Sequence, residues 1–163
     1  MRPQEFIDTI GYAAQASMKL TGIPASFVIA EAALESAWGA SRLSTEGMNL
    51  FGVKADKSWE GDVLTMNTRE FMHGSWIIVA AKWRKYTDWL SCIKDHADFF
   101  HKNPRYAHAL EVEGDAIAFT KAVADAGYAT DPAYADKIIS IINAHDLLKL
   151  DDGEIVYYDN QRV

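Results

Sequence analysis

Between Ala25 and Trp38 nearly every position is apolar: Phe27, Val28, Ile29, Ala30, Ala32, Ala33, Leu34, Ala37 and Trp38, with no proline or glycine inside. A helix that is apolar all round is a buried helix. Pro24 suits its first position, where the missing N–H has no partner to lose, and Gly39 is placed to end it. Two carboxylates interrupt the run, Glu31 and Glu35, one turn apart. Before this helix, Pro3 to Leu20 carries Phe6, Ile7, Ile10, Ala13, Ala14 and Met18 on one side, which predicts a first amphipathic helix. After Gly52 the period changes to two. Val63–Phe71 and Trp76–Trp83 are strand-like, and Met72-His73-Gly74-Ser75 between them predicts a β-hairpin.

The helical period then returns. Thr87 or Asp88 caps a helix running to about His101, with Trp89, Cys92, Ile93, Ala97 and Phe100 on its core face. Asn103-Pro104 breaks the chain. A short helix is predicted near Ala107–Leu110, another from about Asp115 to Ala126 closed by Gly127, and a last one to about His145. For that last helix Asp131 serves as N-cap and Pro132 as first residue. The pattern predicts an α+β fold, mainly α-helical, with one β-hairpin.

With 163 residues, 49% hydrophobic and 24% charged, the chain reads as a soluble globular protein. A single domain over 1–163 is expected, with a core at about 3–150 and a short tail, 151–163, in which Ile155–Tyr158 is strand-like. No apolar run reaches the roughly 18 residues of a membrane span. The N-terminus lacks the basic start and apolar block of a signal peptide. The net charge of −7 argues against a nucleic-acid partner. Cys92 is the one cysteine, which excludes an internal disulfide, and its helical setting suits a buried, inert thiol. His96 and His101 are five apart, not the i, i+4 of a helical metal pair, and no Cys/His cluster has zinc-like spacing. There is no nucleophile elbow and no phosphate loop. Neither a metal nor a cofactor is expected, and the chain is expected to act as a monomer.

The carboxylates carry the chemistry. Glu35 falls in the last turn of the apolar helix, where burial and the negative end of the helix dipole both disfavour its charge. A carboxylic acid held protonated near neutral pH is what a general acid needs. The spacing alone fits a solvated or ion-paired glutamate equally well. Glu70, near the hairpin tip, is also a position where surface charges are common. Asp131 is accounted for by capping. Tyr128 lies in a loop between two helices, with no apolar stripe to join.

Three stretches in order resemble a known family. Ala33–Ser36 reads ALES, Trp38-Gly39 follows, and Asn49–Gly52 reads NLFG. These resemble the glucosaminidase domain of bacterial and phage peptidoglycan hydrolases, glycoside hydrolase family 73. Trp83–Trp89, Asp95–Phe99 and the GYATDP segment from Gly127 are similar to the family as well, so the likeness spans roughly Pro3 to Leu150. The resemblance implies a lysozyme-like fold with the hairpin beside an active-site cleft. It implies Glu35 as the catalytic acid and Glu70, in Asn67–Phe71, as the second carboxylate, with Phe71 standing where the family has tyrosine. It implies Tyr128 in the active site, and Asn49, Phe51 and Tyr134 as substrate-binding positions. Glycoside hydrolysis commonly uses two carboxyls across the scissile bond. The expected substrate is the peptidoglycan glycan strand, cut after N-acetylglucosamine by endo-β-N-acetylglucosaminidase action. The bare domain without a signal peptide suits a phage endolysin or virion lysin, made in the host cytoplasm and acting on the wall after release. The alternatives are a lytic transglycosylase, a lysozyme-type muramidase, or a glycan-binding structural phage protein without turnover. Trp38, Phe51, Trp59 and Trp76 are aromatic enough to stack on sugars, though such residues are more often core.

Overall fold

The computed structural model describes residues 1–154; the strand-like patch at Ile155–Tyr158 lies outside the described residues. Helix α2 (Ala25–Ser36) is the axis of the molecule, and every residue from Ala25 to Ala33 is buried. Helix α1 (Pro3–Thr21), α6 (Ala116–Asp125), α7 (Tyr134–Ala144) and α8 (Leu148–Asp151) pack around it, and α4 (Trp89–Lys102) packs on α1. Phe27 anchors the centre, edge-on to Phe100 at 5.9 Å and to Phe119 at 4.9 Å. Edge-to-face pairs of this kind add stabilisation beyond area burial. Cys92 is buried in this core, as its pattern predicts.

α2 is capped from far away. Its N-cap residue, Pro24, offers no side-chain acceptor, and Asp151 supplies one: its carboxylate accepts the Ser26 N–H at 2.8 Å and the Ser26 hydroxyl at 2.5 Å. A carboxylate there also meets the positive end of the helix dipole. At the other end α2 stops at Ser36, earlier than the apolar run and Gly39 suggest. The Ser36 hydroxyl donates to Ala32 O at 2.6 Å and accepts the Gly39 N–H at 2.9 Å. Ala37, Trp38 and Gly39 then adopt positive φ of 50°, 57° and 79°, which turns the chain away from the helix axis. Trp38 swings onto Phe6 and His145, at 5.7 and 5.0 Å, and so packs on the body of the protein rather than offering itself to a sugar.

Strands β1 (Asp62–Met72) and β2 (Ser75–Lys85) form the hairpin, in register from Asp62↔Lys85 to Met72↔Ser75. They run a little longer than the alternation suggests. His73 and Gly74 close the turn with φ of 51° and 81°. Positive φ at both central residues is the type I′ hairpin geometry, whose twist matches that of the strands. The base of the hairpin is clamped: Arg84 pairs with Asp95 of α4 at 2.8 Å, and the Tyr86 hydroxyl donates to the same carboxylate at 2.6 Å.

Three local expectations change. The short helix α3 (Arg42–Gly47), capped by the Ser41 hydroxyl on the Ser44 N–H, was not predicted. α8 was not predicted either, and it lies at the edge of the presumed tail. α7 starts at Tyr134 rather than at Pro132, because Asp131 caps the Ala133 N–H in the turn ahead of the helix and pairs with Lys137 at 2.6 Å. A short helix, α5 (Ala107–Glu111), follows a 3-10 turn at Pro104–Tyr106.

Candidate active site

Glu35 is the point at which α2 leaves the core. Glu31, one turn earlier, is 1% exposed, whereas Glu35 is exposed to solvent. It opens into a cavity of about 570 Å³ lined by Leu34, Phe51, Tyr128, Ala129, Tyr134 and Lys137, among others. Its pKa is raised from the ordinary carboxylate value. The protein at its back removes part of its water, the Glu31 carboxylate adds repulsion, and His96 offsets some of that. The expected direction therefore holds, but the carboxyl is partly desolvated rather than buried.

Tyr128 stands beside it. Its hydroxyl donates to Glu31 Oε1 and lies 3.3 Å from His96 Nε2. Burial, with the Glu31 charge next, holds the phenol pKa well above its usual value, so Tyr128 stays a donor. The resemblance placed Tyr128 at the active site; the structure sets its ring on the cavity wall and turns its hydroxyl inward. Tyr134 also lines the cavity, 5.5 Å from Tyr128 between ring centres. Burial, with the Glu31 charge next, raises the pKa of its hydroxyl, which is turned toward Glu31 and away from solvent.

Phe51 lies flat on His96, 3.9 Å between ring centres and 14° between planes. It belongs to the wall of the Glu35 cavity and equally to a second cavity of about 470 Å³, toward Trp59, Arg84, Asp95 and Phe99. Tyr128 is shared in the same way. Asn49 is held inside the turn. It is 1% exposed, its Nδ2 donates to Val53 O and Arg84 O at 2.9 Å each, and its Oδ1 accepts the Val53 N–H at 3.0 Å. Asn49 builds the turn that carries Phe51 and ties it to the hairpin.

Glu70 sits on β1 opposite Ile77, on the half-buried face with Thr68, Met66 and Leu64. Its Oε1 lies 3.5 Å from Lys54 Nζ. Lys54 follows the NLFG turn, so this ion pair joins the hairpin to the loop that carries Phe51. Among the described residues no hydrogen bond or ion pair links Glu70 to Glu35. Asp56, on the loop before the hairpin, is engaged by Ser58 and Arg84. His96, which the sequence offers only against metal-pair spacing, and Glu31, which it offers only as an interruption of the apolar run, are the site residues that sequence reasoning missed. The signal for both is a titratable side chain among apolar neighbours. Among the described residues no group of three His, Cys, Asp or Glu side chains is placed to hold a metal ion.

The family model for glucosaminidase, described as mannosyl-glycoprotein endo-beta-N-acetylglucosaminidase, matches residues 11–147. The chain belongs to the glucosaminidase family of glycoside hydrolases. The relatives of this glucosaminidase-family chain include the peptidoglycan hydrolase FlgJ of Vibrio parahaemolyticus, 37% identical over 142 residues, which are 85% of this chain and 46% of that protein. The exo-glucosaminidase LytG of Bacillus subtilis is 38% identical over 154 residues, 91% of this chain and 54% of that protein. The chain thus spans about half the length of these relatives. A solved structure, the C-terminally truncated glycoside hydrolase domain of Salmonella typhimurium FlgJ, superposes with a TM-score of 0.77 at 35% identity, covering 88% of this chain and 97% of that one. The lysozyme-like, mainly helical arrangement with one hairpin is the fold of this family member too.

Proposed function

We propose that this chain hydrolyses peptidoglycan glycan strands at the β-1,4 bond after N-acetylglucosamine, with Glu35 as the acid. One observation carries the reading: a helix buried from Ala25 to Ala33 surfaces at Glu35, in a cavity walled by Phe51, Tyr128 and Tyr134, with the carboxyl pKa raised. A protonated carboxyl facing a sugar-sized cavity is placed to protonate a leaving glycosidic oxygen.

Glu70 supplies the second carboxylate. It rides on the hairpin face that Lys54 draws toward the Phe51 loop. From there it acts on the far side of the bond, as base for water or as partner of the oxocarbenium-like transition state. Glu35 opens into one of the two cavities that share the Phe51–Tyr128 wall, and the second offers room for further sugars along a strand, which supports cutting within it. The names of the relatives, a peptidoglycan hydrolase FlgJ and an exo-glucosaminidase LytG, support work on the cell wall; they favour wall remodelling over the phage lysin role expected from the bare domain.

The test is the chemistry of the new ends. Digested peptidoglycan is reduced with borohydride and the fragments are read by mass spectrometry. Glucosaminitol ends are expected. Muramitol ends indicate a muramidase and unreducible anhydromuramic ends a transglycosylase, and either result overturns the bond assignment.

A further inference from the structure

Glu31 is a buried carboxylate that hydrolysis by Glu35 and Glu70 leaves unused. Both of its oxygens are engaged: Oε2 lies 3.0 Å from His96 Nε2, and Oε1 accepts the Tyr128 hydroxyl. A charge at 1% exposure is expensive unless donors meet it, and a broken buried pair is worse than none. Here the donors are the two side chains that also shape the cleft. His96 carries Phe51 flat on its ring, and Tyr128 and Phe51 together form the wall between the two cavities. The contacts of Glu31 therefore fix the wall beside Glu35 from behind.

We propose that Glu31 is a positioning residue for the reaction described above: its carboxylate holds Tyr128 and His96 in place as the wall between the cavities, and its negative charge, one helical turn away, opposes a second charge on Glu35. This rests on Glu35 being the acid. The groups around Glu35 fit the electrostatic half of the inference. Glu31 comes from its own helix, His96 from α4, Tyr128 and Asp131 from the loop before α7, and Tyr134 and Lys137 from α7. Asp131 and Lys137 are paired at 2.6 Å and largely offset each other. Tyr128 and Tyr134 stay neutral, their pKa values raised by burial and by the acids. That leaves Glu31, with His96 in partial opposition, as the charged neighbour that adds to partial desolvation in favouring the proton on Glu35.

Two variants separate the two roles. Glu31→Gln keeps an acceptor for Tyr128 and removes the charge. The basic limb of its kcat–pH profile, where Glu35 loses its proton, is expected to move down by roughly half a pH unit or more. A ¹³C-carboxyl NMR titration of Glu35 should move the same way. Glu31→Asp keeps the charge but is one methylene short. Its basic limb should stay, while kcat falls about tenfold as Tyr128 and His96 lose their anchor. Should Glu31→Gln not fold, the double variant Glu31→Gln/His96→Gln is titrated against His96→Gln alone, so that the charge at Glu31 is the one difference between them, with the same direction expected. An unmoved Glu35 titration in Glu31→Gln overturns the electrostatic half of the proposal, and full kcat in Glu31→Asp overturns the positioning half. The NMR titration needs no turnover, so it stands apart from the bond assignment: wrong reducing ends strike the proposed function, and an unmoved titration strikes this inference.

Discussion

Glu31 and Glu35 lie one turn apart on α2, and the helix delivers the first into a closed polar cluster and the second into an open cavity. Two carboxylates so close, in environments so different, do different work. The charge of the buried one acts on the proton of the open one. A carboxyl with a raised pKa beside an open cavity is the setting that a general acid uses.

Glu35→Gln keeps the shape and loses the exchangeable acid proton. Turnover of cell walls is expected to fall at least ~10²-fold, the scale of a lost general acid, with unchanged circular dichroism. Clearing of walls at the wild-type rate by the folded variant removes Glu35 from the mechanism.

The same substitution should stabilise the protein at neutral pH. The folded state holds the pKa of Glu35 above its unfolded value, so the native contribution of the protonated form is complete below the unfolded pKa and is lost as pH rises through the folded pKa. Glutamine carries no charge to lose. The melting temperature of Glu35→Gln is expected to exceed that of wild type at pH 7 and to meet it near pH 3. A difference that persists unchanged at acid pH points to some other cause.

Glu70→Gln should lower kcat more than it weakens glycan binding, and it should cost little stability, because an exposed ion pair such as that with Lys54 is worth about 0–1 kcal/mol. Equal turnover in variant and wild type moves the second role to another group. Azide rescue of Glu70→Ala shows direct base chemistry.

Asn49→Ala distinguishes a scaffold from a sugar contact. It strands the Val53 N–H in a part-buried turn and takes a donor from the carbonyls of Val53 and Arg84, of which the Val53 carbonyl keeps the Arg84 N–H. A loss of about 2–3 kcal/mol in denaturant unfolding is expected, from the cost of unsatisfied buried groups. A raised KM at unchanged stability restores Asn49 to the substrate.

Asp151→Ala removes the acceptor at the start of α2. A loss of about 1–2 kcal/mol is expected, the range of a helix cap, measured by chemical denaturation. No loss means that α2 needs no cap from α8.

Periodicity determined much of this protein by itself. A run apolar on every side has nowhere to go but the core, so α2 and its central place were legible before any coordinates. Strict alternation around Gly74 gave the hairpin, and the ordered motifs ALES, NLFG and GYATDP carried the family and pointed to Glu35. Local rules failed where a side chain took a partner that the hydrophobic pattern does not name, near in the chain or far from it. Ser36 ended α2 through a hydroxyl bonded on both sides, ahead of the glycine that composition favoured. Asp151 capped a helix that begins 126 residues earlier, at Ala25, a contact no local pattern contains. Asn49 was drawn inward by backbone groups of Val53 and Arg84 that only the folded turn assembles. The pairing of Glu31 with His96 and Tyr128 joins residues 65 and 97 positions away, on three separate elements. A buried charge must find its donors wherever packing brings them, so the sequence showed that Glu31 needed partners and the tertiary structure chose which.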